Sequence, residues 1–336
     1  MAAPSLPARA ARHAPGVGCT VAPDGAGRGG LVDSSYIARR AVQFAIVLWL
    51  LVTILFIIPR LQGDPILLLT EGDIEPAEVE KLRIAYGLDR PVPVQYVEYL
   101  GGLLTGDLGT SIKTGQEVTD LLNQRIRRTL TLVVPSKFVV LIVAIPLGTI
   151  AAVKRGWIDV FAVGMSLVFQ SVPNFFVAIL LIFIFGVKLQ WLPTFGSGGL
   201  DHHLLPVLVL AAYPIARYTR LMRAQVMDAL HSDYVRTARA KGLAEVAVVR
   251  RHVLKNALLP IVTLIGLDFG TLVGGSIIIE TVFSWPGFGT LTLDAVLRKD
   301  YPVIQGAGMT VGILVLTGSL LADIAYGYVD PRIRRR

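Results

Sequence analysis

Few side chains in this 336-residue chain are spaced for covalent chemistry. Its histidines, His13, His202, His203, His231 and His252, are scattered, and the one adjacent pair, His202-His203, points to different faces of any helix or strand. That pair makes a poor metal site and reads as a polar loop edge. Cys19 is the single cysteine, which leaves no intramolecular disulfide and no multi-cysteine metal or iron–sulfur site within the chain. The sequence contains no His-Glu-x-x-His, no Gly-x-Ser-x-Gly and no Gly-x-x-x-x-Gly-Lys-Ser/Thr, so no zincin site, nucleophile elbow or phosphate-cradling loop is spelled out. What remains is charge in unusual places. A carboxylate, Asp268, stands inside an apolar run, and a basic string extends from Tyr234 to Pro260.

The elements that must position these charges follow from composition. With 53% hydrophobic residues, 17% charged residues and a mean hydropathy of +0.62, the chain carries too much apolar surface for an ordinary soluble domain. The net charge of +8 would suit nucleic acid only on a soluble fold with a basic face, and here the basic residues sit between apolar runs. The expected class is an all-α integral membrane protein with six transmembrane helices. They are read at Val42–Ile58, Thr131–Val153, Val160–Val187, Leu204–Ala216 with its polar continuation, Leu258–Phe283 and Gln305–Tyr326. Pro173 in the third predicts a kink, a tilt or a preceding interfacial turn. The fourth has a short apolar part. Keeping it places Arg217, Arg220, Arg223, Arg236, Arg239, Lys241, Arg250, Arg251 and Lys255 inside the cell with Arg39, Arg40, Lys154, Arg155 and the C-terminal arginines. Both termini are then cytoplasmic. Residues 1–35, rich in Ala, Pro, Gly and Arg, are expected to be a disordered cytoplasmic extension, unless translation begins near Val32. Residues 60–128 form an extracytoplasmic segment with a short helix over Pro76–Tyr86 and a turn at Gly87-Leu88-Asp89-Arg90-Pro91.

On that frame Asp268 falls near mid-depth of the fifth span. An ionisable group there faces a bundle interior or a cavity, so it is a candidate for a translocation pathway or for an interhelical hydrogen bond. Gly266, Gly270, Gly274 and Gly275 read as close helix packing. Ser284-Trp285-Pro286-Gly287 reads as an interfacial turn near the pathway mouth, Trp285, Pro286 and Gly287 being candidates for contact with an outside partner. In the basic string two short helices part at Gly242, the first charge-stabilised by Asp233. The second carries Val246, Val249, Val253 and Ala257 on one face. By physics alone a basic amphipathic element on anionic lipid and one docked on protein fit equally.

The string Tyr234-Val235-Arg236-Thr237-Ala238-Arg239-Ala240-Lys241-Gly242, followed by His252, Leu254, Asn256, Ala257 and Pro260, resembles the EAA coupling loop of ABC-importer permeases in the form used by the peptide/nickel branch. Arg236 and Thr237 depart from the general Glu-Ala-Ala form, and Lys255 stands where many sugar-type permeases have proline. Further strings resemble the same branch: Gly63-Asp64-Pro65, Gly87 to Pro91, Gly106-Asp107-Leu108-Gly109 with Ser111, Phe283 to Gly289, Asp300-Tyr301-Pro302 and Asp330 to Arg334. Arg127 departs from a usual proline. The resemblance implies a type I importer permease domain over residues 36–336, with residues 226–257 as the cytoplasmic coupling loop.

The partners implied are a second homologous permease subunit, two ATPase subunits or domains that bind ATP and Mg, an extracytoplasmic solute-binding protein and membrane lipid, in a bacterial plasma membrane. This chain itself would bind no cofactor and would not be an enzyme. Tyr234, Ala238, Gly242, Val246 and Val249 would form the surface docked on the ATPase, and His252 and Asn256, four apart, would fix the loop to its own scaffold. Di- or oligopeptides are the expected cargo, with nickel chelates or glutathione as alternatives. An ion-coupled secondary transporter would carry more spans or internal repeats. An intramembrane enzyme lacks its motif here.

Overall fold

Lipid offers no partner for backbone N–H and C=O groups, so apolar runs of this length close their hydrogen bonds within helices. A computed structural model describes residues 34–61, 75–85 and 87–329, and among them there is no strand, only the isolated bridge between Thr110 and Glu117. Apart from Ser34 and Ser35, the N-terminal segment expected to be disordered lies outside the described residues. So do the Gly63-Asp64-Pro65 string and the closing string from Asp330.

Helix α1 (Ser34–Leu61) leads to the short helices α2 (Pro76–Ala85) and α3 (Val92–Thr105). The turn expected between these two is present: Gly87 has φ +65, and its N–H donates to the Ile84 carbonyl while that of Leu88 donates to Arg83. The pair is held against the end of α1. Arg60 donates to the Gln95 side chain at 2.5 Å, Thr53 and Tyr96 share a hydroxyl hydrogen bond of 2.7 Å, and the Phe56 and Tyr96 rings meet edge to face at 5.0 Å. The segment is therefore a packed cap.

Helix α4 (Val118–Lys154) begins thirteen residues before the expected span and, at 37 residues, is about 55 Å long, well beyond a bilayer core. Helix α7 (Asp201–Leu230) likewise carries the expected short fourth span to 30 residues. The third expected span is two helices: α5 (Trp157–Ser171) and α6 (Asn174–Leu181), the latter continuing as a π-helix over Ile182–Lys188, meet at 98°. The sequence placed a kink at Pro173, and there the residue before the proline is driven out of the helical region, with Val172 at ψ 127. Such a bend cannot be one straight crossing.

After α7 come α8 (Asp233–Ala240), α9 (Glu245–Val248), a π-turn over Val249–Val253 and α10 (Leu254–Ala257). The fifth expected span is α11 (Leu259–Gly275), then α12 (Ile277–Val282). The loop expected over 284–304 contains α13 (Phe288–Leu297), and α14 (Tyr301–Val329) closes the chain. Four described helices, α1, α4, α7 and α14, are long and apolar enough to cross a membrane, or five if the bent pair counts as one span. Helix α11, at 17 residues, is shorter than the roughly twenty a straight crossing takes.

Helices α4 and α7 form the spine. A Cβ on Gly148 would come within 2.6 Å of the Thr219 carbonyl and 2.8 Å of the Met222 Cβ, so the backbones approach as closely as a missing side chain permits. Buried around this crossing, Val140, Ala144, Ala211, Tyr218 and Met222 belong to one apolar core that continues through Val226 and Ala229 into Val235, Ala238, Val248 and Val253. Helix α14 packs on α1 by the same device, Gly308 and Gly312 facing Leu55 and Leu51. Gly148→Leu is expected to lower the thermal unfolding temperature of the detergent-solubilised protein by about 2–4 °C. Gly164→Ala, where a Cβ meets nothing within 4 Å, should leave it unchanged. Equal melting of the two variants would contradict the close α4–α7 crossing.

Candidate functional site

The basic string folds as two short arms around a reversal. Helix α8 starts with Asp233 in its first turn, which suits the positive helix N-terminus, and it ends before Gly242, whose φ of +76 is the left-handed conformation that glycine adopts without strain. Across the reversal Arg239 makes a two-pronged ion pair with Glu245 at 3.1 and 2.6 Å. That guanidinium holds the Glu245 carboxyl below its usual range. The pair is therefore complete above the normal titration of Glu245 and is lost as pH falls through its lowered value.

The arms bury one face and show another. Val235, Ala238, Val248 and Val253 pack inward on Met222, Val226 and Ala229 of α7. Tyr234, Gly242, Leu243 and Val246 are exposed, Val246 to 79%, and Val249 is half-buried. This corrects two expectations. Ala238, 5% exposed, belongs to the loop's own core and offers no docking surface. His252 is half-buried on the π-turn and Asn256 is exposed, and neither side chain makes a hydrogen bond to a described residue, so apolar packing rather than that pair fixes the loop.

Near the middle of α11, Asp268 lies among groups from two other helices. Its Oδ2 accepts from Lys137 Nζ of α4 at 3.1 Å and from the Tyr218 hydroxyl of α7 at 2.9 Å, and its Oδ1 accepts from Arg217 Nη1 at 3.2 Å. The carboxylate is buried, while the Arg217 side chain is 47% exposed. Farther along α7, Arg220 donates to Gln170 at 2.5 Å and Arg223 makes a bidentate pair with Asp159, one contact at 2.6 Å. The stripe at 217, 220 and 223 thus ties α7 to α11 and α5.

The turn at 284–287 is built on a residue the sequence reading passed over. Glu280, with no exposed surface, accepts from the hydroxyls of Thr129 at 2.6 Å and Ser276 at 2.9 Å. It also accepts from the backbone N–H of Gly289 at 2.7 Å and of Thr290 at 3.2 Å, at the start of α13. A Cβ on Gly287 or Gly289 would strike this carboxylate at 2.5 and 2.8 Å. The adjacent Trp285 is 1% exposed, its ring edge-on to His203 at 4.7 Å and its Nε1 donating to the Arg128 carbonyl at 3.1 Å. That side chain is a core residue and anchors in no lipid interface. His203 is occupied here, His202 lies beside Asp201, and among the described residues no metal-ligand group forms. Ser111 and Asp300, 189 residues apart in sequence, share a 2.5 Å hydrogen bond that joins the segment before α4 to the start of α14.

Residues 144–335 match the family model of the binding-protein-dependent transport system inner membrane component, and residues 34–133 match the model of that component's N-terminal region. The oligopeptide transport system permease protein AppB of Bacillus subtilis is 39% identical over 314 positions, 89% of this chain and 99% of its own length. The glutathione transport system permease protein GsiC of Pectobacterium atrosepticum is 39% identical over 89% of this chain and 99% of its own. The dipeptide transport system permease protein DppB of Escherichia coli K12 is 37% identical over 91% and 97%. A solved structure of the inward-facing MetNI methionine ABC transporter superposes with a TM-score of 0.53 at 20% identity, over 62% of this chain and 96% of that chain, which shows a shared fold.

Glu280→Ala removes the buried acceptor of two hydroxyls and two N–H groups and is expected to destabilise the protein by about 3 kcal/mol. Proteolysis of solubilised protein at graded urea checks this. Wild-type resistance would contradict the assignment of Glu280 as the outer structural node.

Proposed function

The chain belongs to the family of binding-protein-dependent transport system inner membrane components, as a multi-pass permease, and from that premise we propose that it passes di- and oligopeptides inward. The cargo reading is supported by the relatives named above, whose own descriptions are oligopeptide, glutathione and dipeptide permeases at 37–39% identity over nearly their full lengths. In this reading the chain pairs with a second related permease subunit and receives peptide from an extracytoplasmic solute-binding protein. Two ATPase subunits or domains, carrying ATP and Mg, work against its cytoplasmic face.

The coupling surface is the exposed side of the loop: Tyr234, Gly242, Leu243, Val246 and the partly open Val249. The observation that carries this reading is the loop's two-sidedness. One apolar face is spent on α7, yet Leu243 and Val246 still present bare hydrophobic side chains beside a clamped reversal. The excess of basic residues on this loop supports a cytoplasmic side for it and for both termini. Closure of the ATPases around ATP displaces the loop, and the continuous core carries that displacement into α7 and α4, alternately opening the path to each side. The outer turn at Trp285, Pro286 and Gly287 then acts as a rigid lip near the mouth of the path, shaped by Glu280.

The complex reconstituted in proteoliposomes with its solute-binding protein should accumulate radiolabelled alanyl-alanine only with ATP. Val246→Glu, at a site 79% exposed, is expected to cut that uptake by about tenfold or more with membrane insertion and melting temperature unchanged. Undiminished uptake by this variant would refute docking through the loop, and ATP-independent uptake would refute the coupled mechanism.

A further inference from the structure

Lys137, Arg217 and Asp268 each stand within a few residues of the midpoint of their helices, α4, α7 and α11. Two cations therefore share one carboxylate near the middle of these three helices, and Tyr218 adds a neutral donor to the same oxygen that Lys137 uses. The cluster has a cation in excess among the described residues. On the packed neighbours the Asp159 carboxylate is taken by Arg223, and Gln170, which pairs with Arg220, is neutral, so neither offsets the excess.

The excess charge is also accessible. Arg217 engages Asp268 through Nη1 alone, and its Nε and Nη2 make no hydrogen bond to a described residue. On a helix long and apolar enough to cross a membrane, a half-exposed guanidinium cannot face hydrocarbon without a large penalty, so its open edge faces water or another protein. That edge has the forked geometry that binds a carboxylate through two parallel hydrogen bonds.

We propose that Lys137 and Arg217 form a carboxylate-binding pair in the translocation pathway, which takes the C-terminal carboxylate of the peptide in transit. This rests on the peptide reading above. Every free-acid peptide carries that group whatever its side chains, so such a site serves cargo of varied sequence. Asp268 competes for the same cations and keeps the cluster from holding the carboxylate tightly, as passage requires a site that binds and releases. Its part in the pathway is to set the strength of the site.

Charge counting gives the test. Lys137, Arg217 and Asp268 sum to one positive charge; Arg217→Gln brings the sum to zero, and Arg217→Gln with Asp268→Asn returns it to one. In the reconstituted complex, Arg217→Gln is expected to reduce alanyl-alanine uptake about tenfold, and the double variant to recover to within about threefold of the unaltered complex. Both variants should retain the second permease subunit at the unaltered ratio on purification. A double variant as slow as the single one would overturn the proposal, since restoring the charge sum would then fail to restore passage. Loss of the second permease subunit from the Arg217→Gln complex would also overturn it, by assigning the open cation to an acidic group on that subunit. Absence of alanyl-alanine uptake by the unaltered complex would instead sink the peptide reading, and the carboxylate site with it.

Discussion

Gly148 lets the backbones of α4 and α7 meet where any larger side chain would collide with the Thr219 carbonyl, and the rest of the molecule is arranged around that crossing. The close approach aligns small and apolar side chains along α7, Ala211, Met222, Val226 and Ala229, into an unbroken core. Because the core does not stop at the end of α7 but takes in Val235, Ala238, Val248 and Val253, the loop is part of the packed body. Close-packed interiors transmit displacement with little loss. A force on the loop's outer face therefore reaches the mid-depth cluster through contacts that are already made.

Charge is placed at three depths, with a different consequence at each. The Arg239–Glu245 pair lies in water and fixes the shape of a reversal, contributing little to stability. Glu280 is fully enclosed and satisfied by four donors, so it fixes the outer turn and excludes any residue but glycine at 287 and 289. Between them, Asp268 is buried but its partner Arg217 is open. This middle set combines a buried carboxylate with a partner whose hydrogen-bonding edge is open.

Much of the architecture was legible in the sequence because hydrophobic length and arginine placement are direct consequences of the bilayer. The spans at Val42–Ile58 and Gln305–Tyr326 lie within α1 and α14, and the break at Gly242 needed only the conformational preference of glycine. The family resemblance misplaced Ala238, because a small residue fits equally under a neighbouring helix and against a partner protein. Its place at a span end set Trp285 in a lipid interface, since an aromatic there looks the same from sequence whether it faces lipid or, as here, His203 and the Arg128 carbonyl. Glu280 was invisible because its partners, Thr129 and the N–H groups of α13, are brought to it by tertiary structure. The same is true of Lys137, whose meeting with Asp268 joins residues 131 apart in sequence. The 98° bend exceeds what one proline signals, since it also depends on what α5 and α6 each pack against.

The coupling of loop to helix is tested most directly by a distance. With Cys19 replaced by serine, spin labels at the exposed positions Ala224 on α7 and Val246 on the loop report their separation by pulsed electron resonance in the assembled transporter. Rigid coupling requires the same distance distribution in the nucleotide-free and ATP-trapped states. A shift or a broadening between those states would show the loop moving independently of α7 and would contradict transmission through the shared core.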